Sequence, residues 1–291
     1  MKLETVFHKG KKNKPLAIFI HGMGMNLKVW SEPSAARILG GKYPLRVLLD
    51  STYTEFETTF DDLKRLGFHL LSWTQSRPVG PIQIAVNELK ELITQYKKYS
   101  TSGIILICHS RGGLIARKYL EQNTAPARGL ITLVTPHHGT SMAKWAVYMS
   151  PITLTLDHLL KGFSKKEVDS AFQKVIGFLN SSGLRELLPD SNFFSNLKDK
   201  KQEGAVHISI GGTNPDLLKA ISISLPKLMS VIIPEKIIPA EMKEGCGDGL
   251  VSAVSSVLPY ADEHVNFPVN HASVLIDNEV RKYILKSMES F

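Results

Sequence analysis

No stretch of this chain constrains it more than the nine residues Leu106-Ile107-Cys108-His109-Ser110-Arg111-Gly112-Gly113-Leu114. A continuous apolar run from Gly103 to Ile107, of the kind that forms a strand buried on both faces, stops at Ser110. A helical pattern, Leu114 to Leu120, begins at once. The residues two before the serine (Cys108) and two and three after it (Gly112, Gly113) are small. Where a strand turns sharply into a helix the two approach too closely for larger side chains, and the strained backbone lifts the serine hydroxyl clear of the sheet. This is the shape of a nucleophile elbow, with the serine at a helix N-terminus whose N–H groups can stabilise developing negative charge. The usual spacing is Gly-x-Ser-x-Gly, and Cys108 stands where the first glycine would be. Cysteine is small and often buried, so the turn remains feasible but tighter. Read alone, the same residues also describe a buried strand followed by an N-capping Ser110.

The rest of the chain alternates strands and helices. Leu16 to Ile20 is a short apolar strand that ends in His21-Gly22-Met23-Gly24, a turn whose backbone N–H groups can face a site. A helix is expected around Leu27 to Leu39, a strand at Leu45 to Leu49, a helix at Glu57 to Leu66 and a strand at Phe68 to Trp73. Ile82 to Tyr96 carries apolar residues at helical spacing and feeds the strand before Ser110. Gly129 to Val134 is another buried strand, ending in Thr135-Pro136-His137-His138-Gly139-Thr140. Val206 to Ile210 and Val265 to Val269 read as strands, and Asn278 to Met288 reads as the closing helix. Buried, non-alternating strands separated by helices predict an α/β fold with a mostly parallel central sheet. Ser141 to Leu197 is helical in pattern and reads as an inserted cap. Residues 219–242, apolar with interspersed lysines and prolines, are either a second cap element or a wall of the same pocket.

Three loops together resemble the α/β-hydrolase superfamily on its bacterial lipase and esterase side. They are His21-Gly22-Met23-Gly24, Cys108-His109-Ser110-Arg111-Gly112 and Gly247-Asp248-Gly249-Leu250-Val251. Thr135-Pro136-His137-His138-Gly139 and the segment Leu187 to Phe194 are similar to lipase segments beside the nucleophile and near the lid. His271, just beyond the last expected strand, is where this fold places its base. The chain order Ser110, Asp248, His271 is the order of that superfamily. The resemblance implies one α/β-hydrolase domain over 1–291 with Ser110 as nucleophile, His271 as base and Asp248 as acid. Backbone N–H groups of Met23 and Arg111 would form the oxyanion hole. His21 reads as a brace for its loop, and His137 and His138 as structural or pocket-lining. Asp216 is the rival acid but lacks flanking glycines; His264 and His207 are rival bases but stand at strand starts.

The implied activity is hydrolysis of carboxylic esters through an acyl-enzyme, on medium- or long-chain acyl esters, with contact to a lipid surface. A small-ester esterase, a phospholipase, an inositol deacylase or an acyltransferase would use the same triad, and a silent member of the fold would only bind lipid. The chemistry needs no cofactor and no metal. Some secreted lipases hold a structural calcium ion, but no ligand cluster here argues for one. The charge of +8 is spread over scattered lysines, without the basic-aromatic interleaving expected of nucleic-acid binding. Two cysteines, Cys108 and Cys246, cannot make a disulfide framework, and they are expected as free thiols lying together beneath the site. The N-terminus is charged and no run nears the roughly 18 apolar residues of a membrane span, so a cytoplasmic location is expected unless a leader was removed.

Overall fold

The computed structural model describes residues 3–38, 43–49, 56–123, 127–142, 181–217, 236 and 238–291. Its strands are β1 (Thr5–His8), β2 (Leu16–Ile20), β3 (Arg37–Ile38), β4 (Tyr43–Pro44), β5 (His69–Trp73), β6 (Ile104–His109), β7 (Ala127–Leu133), β8 (Val206–Gly212) and β9 (Glu263–Phe267). Seven of them form one sheet in the order β1-β5-β2-β6-β7-β8-β9. Every neighbouring pair is parallel except β1 with β5. The helices are α1 (Lys28–Ser31), α2 (Thr59–Arg65), α3 (Ile82–Gln95), α4 (Arg111–Gln122), α5 (Ser182–Arg185), α6 (Asn192–Ser195) and α7 (Asn278–Ser287).

Strand β2 shows why the sheet lies in the middle. Ala17 and Phe19 point into one apolar layer with Trp30 of α1, Phe60 and Leu63 of α2 and Val280 and Ile284 of α7. Leu16, Ile18 and Ile20 point into the other, with Val86 and Leu89 of α3 and Ile115 of α4. All five β2 residues are wholly buried. At roughly 1.5–3 kcal/mol for each large side chain, its Leu, Phe and two Ile contribute on the order of 6–12 kcal/mol of gross burial, comparable to the net stability of a whole domain. A strand buried on both faces cannot alternate polar and apolar residues, which is the pattern the sequence carries.

Three local expectations differ. The helix expected to Leu39 stops at Ser31, because Pro33 has no N–H and its ring blocks a continuing helix. A 3₁₀ turn (Pro33–Ala35) and the two-residue β3 follow. Leu45 to Leu49, expected as a strand, is a 3₁₀ turn at Leu45–Leu48. Its first N–H bonds the Ala36 carbonyl at 2.9 Å instead of joining the sheet, while Leu45 and Leu49 remain buried. A short apolar run is buried equally well either way. The last strand is β9, two residues earlier than expected, and the edge strand β1 carried no sequence signal. Most of the expected cap at 141–197 and of the segment 219–242 lies outside the described residues.

Candidate active site

The site sits at the carboxyl ends of the parallel strands, where open α/β sheets carry their ligands. Strand β6 ends at His109, and Ser110 turns the chain into α4 with φ 55° and ψ −130°. That is a sparsely populated conformation for a residue with a Cβ, costing of order 1–3 kcal/mol. Its surroundings hold it there. The Ser110 N–H bonds the Leu133 carbonyl at 2.8 Å, and the Ser110 carbonyl accepts from Gly113 N–H at 3.0 Å and Thr135 Oγ1 at 2.8 Å. The two glycines have separate reasons. A Cβ on Gly112 would lie 2.5 Å from the Ile20 carbonyl oxygen of β2, and one on Gly113 would lie 2.3 Å from Thr135 Oγ1. Cys108, wholly buried, occupies the first glycine's place, and burial raises its thiol pKa well above the ordinary value.

Ser110 Oγ lies 2.9 Å from His271 Nε2, and His271 Nδ1 lies 2.7 Å from Asp248 Oδ2. With the Nδ1 proton donated to the carboxylate, Nε2 is free to accept from the hydroxyl. Asp248 is fixed on its other side, where Oδ1 accepts from Leu250 N–H at 2.9 Å and Val251 N–H at 2.7 Å. Its backbone carbonyl accepts from His271 N–H at 3.0 Å, so the acid and base loops are tied twice. Gly212, at the end of β8, gives the acid loop room: a Cβ there would lie 2.8 Å from Asp248 Cβ. The structure thus joins Ser110, His271 and Asp248 in one hydrogen-bonded chain, all of it buried.

The turn after β2 presses on the serine. A Cβ on Gly22 would meet Ser110 Cβ at 3.0 Å and His109 Nδ1 at 2.9 Å, so the turn lies against the elbow, with Met23 its next residue. Arg111 is the first residue of α4, where N–H groups have no partner within the helix. Met23 and Arg111 therefore stand on the two turns that flank Ser110. Wholly buried His21 donates from Nδ1 to the Gly22 carbonyl at 2.8 Å and accepts Gln75 N–H at Nε2, 3.1 Å away. Desolvation lowers its pKa to about 4, so it is neutral and holds the loop.

The rival residues lie elsewhere. His264 Nδ1 contacts Ser209 Oγ at 2.8 Å, and His207 lies 3.7 Å from Asp262 and packs on Tyr260. Asp216 touches the base loop only through its backbone carbonyl, which accepts from Asn270 Nδ2 at 2.9 Å. His137 is buried, 2.9 Å from Thr132 Oγ1, with its carbonyl accepting from Arg117 Nη1. One expectation is corrected: Cys246 is exposed on the acid loop while Cys108 is enclosed in the core, so the two thiols do not share a place beneath the site. Among the described residues no group of His, Cys, Asp and Glu side chains could hold a metal ion, and no helix is long and apolar enough to cross a membrane.

Several positioning residues escaped sequence reasoning. His109, neutral because burial pulls its pKa to about 3, donates from Nε2 to the His271 carbonyl at 2.8 Å. Asn270 shapes the base loop: its Oδ1 accepts from Ala272 and Ser273 N–H while Nδ2 donates to the Leu48 carbonyl. Glu241 accepts from Ser141 N–H at 2.8 Å and from Thr140 Oγ1 at 3.2 Å, and its carbonyl accepts from Gly249 N–H at 2.8 Å. Each acts across a large sequence separation, which no local pattern records.

The strained strand-to-helix turn at Ser110, in a sheet of this topology, is that of the α/β-hydrolase superfamily. The model of the palmitoyl protein thioesterase family matches residues 17–218, more than half of the chain, and the chain belongs to that family. It is an enzyme of the carboxylic ester hydrolase class. The fold is similar to that of Bacillus licheniformis lipase BlEst2 in its mature form, with a TM-score of 0.61 and 15% identity over 98% of this chain and 97% of that one. It is also similar to a carboxylesterase of the thaumarchaeon Nitrososphaera gargenis, with a TM-score of 0.53 and 14% identity over 99% and 94% of the two chains. The monoacylglycerol lipase of Paleococcus ferrophilus gives a TM-score of 0.52 and 15% identity over 99% and 97%. No curated protein matches the sequence.

Proposed function

We propose that the protein hydrolyses acyl esters or acyl thioesters of medium or long chain by a double displacement through Ser110. The observation that carries this is the unbroken chain from Ser110 Oγ through the His271 imidazole to Asp248, at 2.9 and 2.7 Å. A serine hydroxyl is a weak nucleophile at neutral pH, so His271 Nε2 takes its proton as Oγ attacks the acyl carbonyl. Asp248 holds the imidazole in the required tautomer and stabilises its cation. The tetrahedral oxyanion is met by the N–H groups of Met23 and Arg111, each typically worth about 10²–10³ in rate. The alcohol or thiol leaves with the proton from His271, and water repeats the cycle on the acyl-enzyme. The acyl group is inferred from the family, whose name specifies palmitoyl thioesters, and from the lipase and esterase neighbours. Contact with a lipid surface and a cytoplasmic location belong to the same reading and rest on sequence alone.

The test compares hydrolysis of oxygen and sulfur esters of matched acyl length, from short to palmitoyl, by the wild type and by Ser110→Ala. The reading expects rates that rise with chain length and vanish in the variant. A preference for acetyl over every longer chain would reject the acyl-chain assignment.

A further inference from the structure

The mechanism above uses Arg111 only through its backbone, yet its side chain is anomalous. The guanidinium is wholly buried, and its hydrogen bonds all go to neutral oxygens: Gln75 Oε1 at 3.2 Å, Pro78 O at 2.9 Å and Gly80 O at 2.6 Å. Nε has no partner, and among the described residues no carboxylate hydrogen-bonds to the group, although those of Glu186 and Glu88 lie near enough to favour its charged form. Buried charges are normally paired, and a cation at a helix N-terminus is disfavoured by the helix dipole. Desolvation lowers its pKa to about 10, so it remains charged at neutral pH.

Its hydrogen bonds lead to the loop over the nucleophile. Gln75, which accepts from Arg111, donates from Nε2 to the His21 carbonyl at 2.9 Å and from its backbone N–H to His21 Nε2. Pro78 O, which also accepts from Arg111, accepts from Gly24 N–H at 3.1 Å. The four-residue turn 21–24 is therefore gripped at both ends, with Gly22 against Ser110 and Met23 between. Both grips accept from one nitrogen, Nη1, while Nη2 is anchored on Gly80 O, so the planar guanidinium fixes the direction in which Nη1 donates, which lysine's freely rotating ammonium cannot.

We propose that the Arg111 side chain, with Gln75 as its relay, is a positioning element of the oxyanion hole. It fixes the loop carrying the Met23 N–H against the helix start that carries the Arg111 N–H, so one residue supplies one donor and sets the distance to the other. This rests on the reading of Ser110 as the nucleophile.

The test measures inhibition constants for a long-chain alkyl trifluoromethyl ketone and for the matching alkyl ether. Ser110 adds to the ketone and forms an oxyanion in the hole, whereas the ether fills only the acyl site. Gln75→Met and Arg111→Lys are each expected to weaken the ketone by about 10–100-fold, less than outright loss of a donor. The ether constant and KM hold, and kcat falls in step with ketone affinity. The double variant is no worse than the poorer single, because both act through one chain of contacts. Equal weakening of ketone and ether, additive losses, or wild-type ketone affinity in Gln75→Met would overturn the proposal. Should Arg111→Lys fail to fold, Gln75→Met carries the test, since it leaves the charge in place. A wild-type enzyme that binds the ketone no better than the ether would instead sink the Ser110 reading.

Discussion

Replacing Asp248 by asparagine separates the shape of the site from its proton chemistry. Asp248 Oδ1 accepts two backbone N–H groups, from Leu250 at 2.9 Å and Val251 at 2.7 Å, and Oδ2 accepts from His271 Nδ1 at 2.7 Å. An asparagine has one carbonyl oxygen to place. Turning its amide nitrogen toward Leu250 and Val251 would set donor against donor and leave two N–H groups unpaired, at about 1–3 kcal/mol each. Even the lower figure, about 2 kcal/mol in total, favours the other orientation roughly thirtyfold. The amide nitrogen then faces His271 and donates to Nδ1, so the imidazole proton moves to Nε2. An Nε2 that carries a proton cannot take one from Ser110. The expected loss is about 10⁴ in kcat, or roughly 5.5 kcal/mol of transition-state stabilisation, with little change in melting temperature. Steady-state kinetics on a chromogenic long-chain ester, with a thermal melt of the same preparation, measures both. Asp248→Asn retaining kcat within about tenfold of wild type would refute the tautomer argument.

Two further outcomes follow from groups outside the reacting chain. Arg281 of α7 donates to Asp62 of α2 from Nε at 2.8 Å and Nη2 at 2.7 Å, and from Nη2 to Glu57 at 2.8 Å. Arg281→Met should cost about 3 kcal/mol, the low end for breaking a buried pair because Arg65 still contacts Asp62; a urea titration showing a loss under about 1 kcal/mol would contradict this. His21 and His109 are neutral in the fold, with pKa values lowered by burial to about 4 and about 3. The unfolded chain binds their protons as pH falls through about 6.5, so their contribution is full above that pH and lost on descending toward 4 and then 3. Two protons correspond to about 3 kcal/mol per pH unit across the middle of that window. Denaturation midpoints that stay level from pH 7.5 down to pH 5 would rule this out.

What the sequence carried was local: short apolar runs identified β2, β5, β6, β7 and β8, the glycine-bearing turns after β2 and β6 singled out Met23 and Ser110, and a separate Gly-Asp-Gly turn singled out Asp248. His271 was found from its place after the last strand, although β9 begins two residues earlier than the apolar pattern suggests. What escaped was long-range. Gln75 and His21 are 54 residues apart, and Asn270 reaches the Leu48 carbonyl across 222. Such residues are ordinary polar positions until the fold brings them together. The Leu45–Leu48 turn failed for a different reason, since an apolar run records burial and not backbone pairing. Cys246 was misplaced because its spacing from Asp248 copies that of Cys108 from Ser110, while the acid loop turns its side chain outward.

The most direct measurement is rapid quench of the enzyme during turnover of a long-chain p-nitrophenyl ester, followed by peptide mass spectrometry. A burst of nitrophenol close to one equivalent should accompany an acyl adduct on the peptide holding Ser110, and Ser110→Ala should show neither. Undiminished hydrolysis in that variant, or an adduct on a different residue, would contradict the account.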